Sequence, residues 1–205
     1  MIVEKELQLS KPIEYVIGID TNLDNLTLSC INVRTGEVIV HHSISLRHIV
    51  GKRIYYRNRR AYLQSIGRNI HKESLVCKAV LEQVVEEVFK FVRPYTPRCL
   101  VAVEELKDIR NKLIRRSKRK DKRYLYSTAL YNRLLRRIRE KLEWKGVGVV
   151  EVSPRYTSTT CSRCGERGTK RGNLFFCSNC SYVVDADLNA SVNIAKRAIQ
   201  QIPLN

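Results

Sequence analysis

Cys161-Ser-Arg-Cys164 and Cys177-Ser-Asn-Cys180 place four thiols in two identical short spacings, with twelve residues between the pairs. Two intervening residues let one tight turn present both sulfurs of a pair to a single ion. Twelve residues are enough for a hairpin to bring the two pairs together. The set therefore reads as one tetrahedral Zn2+ site, with Gly165 supplying the positive φ that such turns often need. A redox dithiol and two disulfides are the competing readings, but a redox Cys-x-x-Cys normally comes singly. Four thiolates close the coordination sphere, so the zinc is expected to be structural and not catalytic. The remaining cysteines, Cys30, Cys77 and Cys99, lie in apolar runs and read as core.

The charge narrows the partners. Across 205 residues, 38 Lys plus Arg stand against 20 Asp plus Glu, a formal +18. A field of that sign attracts polyanions, and nucleic acid is the expected partner because each neutralised phosphate releases counterions. A basic protein of a ribosome-like assembly, or a merely solvated basic surface, is the plainer alternative. No segment reaches the roughly 18 apolar residues of a membrane span, and the N-terminus lacks the layout of a signal peptide. Seven cysteines without an export signal point to a reducing, cytoplasmic setting.

Along the chain, residues 15–20, 26–33 and 38–44 form three β-rich runs with turns between them, as in an antiparallel meander. From about Gly51 to Val92 the pattern turns helical. Val76, Val80, Val84 and Val88 recur every four residues, and Pro94 and Pro97 end the stretch. Residues 99–103 read as a buried strand followed directly by Glu104 and Glu105. The run 110–123 carries nine Lys or Arg in fourteen positions and reads as a loop. Leu130, Leu134, Ile138 and Leu142 mark another helix, residues 147–152 a last strand, and a final helix is expected from about Asp187 to Gln200. This order predicts an α/β fold of RNase H type, a mixed sheet flanked by helices. The expected division is a core over 1–152, a zinc ribbon over 153–184, and a closing helix over 185–205.

Three acids stand out within that order. Asp20 lies inside an apolar strand, where a carboxylate must be paired or bind a cation to offset its desolvation. Glu104 ends the strand 99–103, and Asp187 opens the last helix. In an RNase H-type sheet the first and fourth strands are neighbours and the last helix packs near both. The three carboxylates are then expected to converge and hold two divalent ions roughly 4 Å apart. Each has a local alternative: Asp20 a turn, Glu104 a solvated strand end, and Asp185 or Asp187 a helix cap.

GIDTN around Asp20, VAVEEL around Glu104 and DADLNASVNIAKRA around Asp187 resemble the three RuvC motifs of the TnpB family of insertion-sequence proteins. The stretch from Tyr156 to Cys180 resembles that family's zinc ribbon, and the family is related to the type V CRISPR effectors. The resemblance covers about residues 15–198. It implies an RNA-guided DNA endonuclease with a RuvC-like domain, using Mg2+ or Mn2+, with Asp20, Glu104 and Asp187 as catalytic metal ligands. Asp187 matches the last motif better than Asp185, and Glu105 falls beside the catalytic glutamate. Partners implied are DNA, a guide RNA, and a chain supplying the N-terminal half that TnpB proteins carry, since only some fourteen residues precede the first strand here.

Nucleic-acid contacts are expected from two basic segments. One comprises Arg53, Arg57, Arg59 and Arg60, with Tyr55, Tyr56 and Tyr62 interleaved as a stacking surface; a helix with a basic outer face explains it nearly as well. The other comprises Arg110, Lys112, Arg115, Arg116, Lys118, Arg119 and Lys120. Three functions compete. A compact two-metal nuclease is favoured by the complete acidic triad. A non-catalytic truncated relative would only bind nucleic acid. A transcription- or ribosome-type zinc-ribbon module accounts for cysteines and charge but not for the placement of the three acids.

Overall fold

The structure is a computed structural model that describes residues 12–22, 24–68, 73–105 and 130–202. Strands β1 (Tyr15–Thr21), β2 (Asn25–Asn32) and β3 (Val38–Ser45) form the expected meander. Helices α1 (Arg47–Ser65) and α2 (Glu73–Val92) follow. The helical stretch expected from Gly51 to Val92 thus begins earlier and is divided, with Gly67 at φ +71° just after α1. Strand β4 (Cys99–Glu104), helix α3 (Leu130–Trp144) and strand β5 (Gly148–Val152) complete the sheet. Its order is β3-β2-β1-β4-β5, with β1 antiparallel to β2 and parallel to β4. Strands β6 (Thr169–Arg171), β7 (Leu174–Phe176) and β8 (Val183–Asp185) form a separate three-stranded sheet. Helix α4 (Ala186–Gln201) leads straight out of β8.

Side chains alternate across a strand, and in β1 and β4 both sets are apolar because both sheet faces are covered. Ile17, Ile19, Val101 and Val103 meet the buried stripe of α2, Leu81, Val84, Val85 and Val88, together with Leu134, Ile138 and Leu142 of α3. That spacing of three and four residues is one helix face. Val16, Leu100 and Ala102 point the other way and meet Val192, Ala195 and Ala198 of α4. Each Leu, Ile or Val so enclosed contributes about 1.5–3 kcal/mol. Cys30 and Cys99 are core, as expected.

Gly18 lies at the centre of the α4-covered face. A Cβ built there would stand 2.0 Å from the Ser191 carbonyl oxygen and 2.8 Å from the Ala195 nitrogen. Glycine is therefore what lets α4 lie with its backbone against β1. This close approach fixes the height of the whole helix above the sheet, and with it the acid at the helix start.

Candidate active site and metal centre

The face that carries Val16, Gly18, Leu100 and Ala102 ends in two acids. Asp20 is two residues beyond Gly18, and Glu104 two beyond Ala102. Gly18 pairs with Ala102 and Ile19 with Val103. Parallel pairing with this register brings both carboxylates to the same face at the same end of adjacent strands. Asp187 comes from the first turn of α4. Asp185 is the N-cap: its carboxylate accepts the backbone N–H groups of Asp187 and Leu188, each at 3.0 Å. The cap is thereby separate from the site, and the Asp187 carboxylate turns toward β2, accepting from Asn25 Nδ2 at 3.0 Å.

Each acid has a fixed partner. Asn22 Nδ2 donates to Asp20 Oδ2 at 2.8 Å. The Thr157 hydroxyl donates to Glu104 Oε1 at 2.5 Å. Lys170, on the ribbon strand β6, stands 3.4 Å from Asp187 Oδ1. Asp20 is only 8% exposed. Burial, and after it the charges of Glu104 and Asp187, push its carboxyl up to about 7, against the Asn22 hydrogen bond and Lys170. Burial likewise raises Glu104, opposed by the Thr157 hydrogen bond and by Arg197. Acids so placed repel one another, and a multivalent cation between them removes both the repulsion and the desolvation cost. Carboxylates are the oxygen donors that Mg2+ and Mn2+ take, but among the described residues only the four cysteines lie close enough together to hold an ion as they stand.

The four cysteines come together as the spacing predicts. Their sulfurs all lie within 4.8 Å of one another, with Cys161 to Cys180 at 3.7 Å and Cys164 to Cys177 at 3.5 Å. Thiolates about 2.3 Å from a common tetrahedral centre stand at about this separation, far beyond a disulfide bond of about 2.05 Å. The donor set can hold one metal ion. The two turns are built alike: Gly165 has φ +83° and Ser181 φ +54°, each directly after the second cysteine of its pair. Serine at the second position takes the left-handed conformation for which glycine is better suited. Buried Phe175 fills the ribbon against Cys161, Cys177 and Ala186.

A polar strap joins ribbon and helix. Asn189 Oδ1 accepts the Ser162 N–H at 2.8 Å while its Nδ2 donates to the Thr160 carbonyl at 2.8 Å. Asn193 donates to the carbonyls of Thr157 and Thr160, and Lys196 to that of Ser162. The segment holding Thr157 against Glu104 is therefore itself held by α4. Sequence reading passed over Asn22, Asn25, Thr157, Lys170, Asn189 and Asn193. The only signal was that Asn189 and Asn193 recur at helical spacing within the last acidic motif.

The basic segments are placed in part. Arg57, Arg59 and Arg60 lie on α1, where Tyr55 and Tyr62 are 53% and 64% exposed and Arg59 donates to the Tyr55 hydroxyl at 2.7 Å. Arg53 lies in α1 with its backbone alone described. Arg110, Lys112, Arg115, Arg116, Lys118, Arg119 and Lys120 lie outside the described residues. Glu105, half-buried after β4, donates its backbone N–H to the Val152 carbonyl at 2.9 Å.

Comparisons with known proteins agree with this architecture. Residues 131–194 match the family described as Cas12f1-like, TNB domain. The chain is 32% identical over 157 residues to the CRISPR-associated endodeoxyribonuclease Cas12f2 of Micrarchaeota archaeon (strain CG1_02_47_40), covering 72% of this chain and 28% of that protein. It is 28% identical over 215 residues to the TnpB-like protein aq_aa05 of Aquifex aeolicus (strain VF5), covering 92% of this chain and 69% of that one. The fold matches the protein in a cryo-EM structure of a Cas12f1–sgRNA–target DNA complex with a TM-score of 0.68 at 22% identity, over 92% of this chain and 51% of that chain. The chain thus spans about a quarter of the Cas12f2 relative and half of the Cas12f1 chain. The acidic motifs, the ribbon inserted before the last helix and these sequence matches support the TnpB family, related to the type V CRISPR effectors.

Proposed function

We propose that the chain is a metal-dependent DNA endonuclease of RuvC type, with Asp20, Glu104 and Asp187 as ligands of Mg2+ or Mn2+ and one structural Zn2+ on Cys161, Cys164, Cys177 and Cys180. The observation that carries this reading is the burial of Asp20 beside two further acids, a placement that costs stability unless cations are bound there. When bound, divalent ions supply an activated water and neutralise the oxygen that leaves the phosphodiester. The residues around them do the rest. Asn22, Asn25 and Thr157 orient one acid each, and the strap from Asn189 and Asn193 holds the ribbon over the site.

DNA as substrate and a guide RNA as partner follow the relatives' names. Exposed Arg59, Tyr55 and Tyr62 on α1 support contact with nucleic acid. Among the described residues no helix is long and apolar enough to cross a membrane, and unpaired, buried Cys30 and Cys99 suit a reducing cytoplasm.

The test is cleavage of single- and double-stranded DNA with Mg2+ or Mn2+. Wild type should cut, and Asp187→Ala should lose at least about 100-fold, the scale of removing a main electrostatic element from a site. DNA binding by both proteins without cleavage by either would instead establish a non-catalytic binding protein.

A pH dependence also follows. Asp20 keeps its proton in the folded chain up to about 7 but loses it near 3.8 when unfolded. The folded state therefore binds more protons between these values, and the metal-free protein should lose stability as pH rises from about 4 to about 7. Mn2+ should offset that loss, so its stabilising increment in Tm should be larger at pH 8 than at pH 5, and Asp20→Asn should flatten the difference. Equal increments at both pH values in the wild type would contradict the site.

A further inference from the structure

The four thiols of the ribbon are not equally accessible. Cys164 is exposed and Cys180 half-buried, while Cys161 and Cys177 are buried. Asn179 Nδ2 donates to the Cys164 sulfur at 3.6 Å. The Cys177 sulfur, on the other cysteine turn, lies 3.5 Å from that of Cys164. A cleft of about 400 Å3 opens between the first turn and α4, with Cys161 and Cys164 in its lining. Arg163 lines it from the turn and Lys196 and Arg197 line it from the helix, and no acidic residue faces it. Lys196 is fixed there by a hydrogen bond to the Ser162 carbonyl at 2.6 Å, and Arg197 donates to the carbonyls of Ser153 and Arg155.

We propose that the ribbon is a redox switch: a hydroperoxide oxidises Cys164, a disulfide closes from Cys164 to Cys177, and the metal is released. The inference rests on the zinc reading of the four thiols. The Cys164 sulfur attacks the hydroperoxide and the O–O bond breaks. One oxygen stays on the sulfur as a sulfenic acid, and the other leaves with a proton as an alcohol or water. The Cys177 sulfur then attacks that of Cys164, forming the S–S bond and expelling the sulfenic oxygen as water. Two thiolates, one hydroperoxide and two protons thus give one disulfide, one water and one alcohol, the sulfurs losing the two electrons that the peroxide gains. Oxidation follows thiolate character and exposure, which selects Cys164 over the buried Cys161 and Cys177. Cations in the cleft stabilise the negative charge that develops on the departing oxygen. Two sulfurs 3.5 Å apart close to a bond of about 2.05 Å with a small movement of the two turns. The remaining pair, Cys161 and Cys180, is too few ligands for a structural zinc site. Lys170 of the ribbon reaches Asp187, and Thr157, on the segment leading into it, reaches Glu104. Loss of the metal therefore loosens the contacts on two of the three acids, and reduction with fresh zinc restores them.

The experiment treats the purified full chain with hydrogen peroxide, follows released zinc with a chromophoric chelator, and maps disulfides by mass spectrometry. Wild type is compared with Cys164→His, Cys161→His and Arg163→Gln. Both histidine variants keep four donors as three thiolates and an imidazole, a set that zinc accepts. In the wild type, zinc release should keep step with a Cys164–Cys177 disulfide, and dithiothreitol with added zinc should return the metal. Cys164→His should release zinc roughly tenfold more slowly because the exposed sulfur is gone, whereas Cys161→His should match the wild type. Arg163→Gln leaves all four thiols in place and should slow release severalfold. Where a histidine variant does not retain zinc, the wild-type disulfide map and Arg163→Gln carry the test. Zinc retained under peroxide, a disulfide joining any other pair, or wild-type release rates in both Cys164→His and Arg163→Gln would overturn the switch and leave the zinc reading standing. A chain that carries no zinc before peroxide is added would overturn both.

Discussion

Cys177→Ser should strip the ribbon of its zinc and unfold residues 153–185, while the five-stranded sheet persists. The ribbon has little else to hold it: its buried cluster is Phe175 and Ala186 with two of the thiols themselves. Structural zinc contributes on the order of 10 kcal/mol to the folding of such units, more than so small an apolar cluster can replace. The effect should reach the acids as well. Strand β8 runs directly into α4, the Ala186 N–H is bonded to the Asn173 carbonyl at 2.8 Å, and Thr157 is held in the segment leading to Cys161. Zinc content per chain, measured by a chromophoric chelator, should fall to near zero. Amide exchange over 153–185 should lose its protection while β1 and β4 keep theirs. A variant that retained stoichiometric zinc and full protection would rule out the thiol site.

Gly18→Ala should destabilise the core by about 3 kcal/mol, the upper part of the range for inserting a methyl group into a packed interior. The atoms that the methyl would meet are the Ser191 carbonyl at 2.0 Å and the Ala195 nitrogen at 2.8 Å. Both are backbone atoms of α4, so no rotamer change relieves the clash and the helix itself must lift. For a chain of this size the loss corresponds to a fall in Tm of about 6–12 °C. Lifting α4 also displaces Asp187 from Asp20, so Mn2+ should stabilise the variant less than the wild type. A Tm within about 2 °C of the wild type would show that α4 is not in contact with β1.

Much of this molecule is legible without coordinates because its signals are local. The short apolar runs of β1, β2 and β4 and the three- and four-residue spacing of α2 and α3 are decided by neighbours a few residues away. The division between α1 and α2 is not legible in the sequence because Val76 to Val88 carry a strong helical period, while α1 ends in a turn at Ile66 and Gly67, with Gly67 at φ +71°. Asp185 and Asp187 show the other kind of difficulty. Two residues apart at a helix start, both suit a cap, and only the completed turn shows that Asp185 takes the cap and frees Asp187.

The four-thiol set, the acidic motifs and the order of strands can be read along the chain alone, since identical Cys-x-x-Cys spacings and short-range periodicity restrict the chain within each element. Tertiary structure alone decided the rest. Asn25 reaches Asp187 across 162 positions, and Thr157 reaches Glu104 across 53. Gly18 matters only because α4 crosses it, and Lys170 meets Asp187 only because the ribbon folds back over the sheet end. Pairings of this kind depend on parallel register and on the height of a helix above a sheet, and neither is encoded in the residues on either side of any one of them.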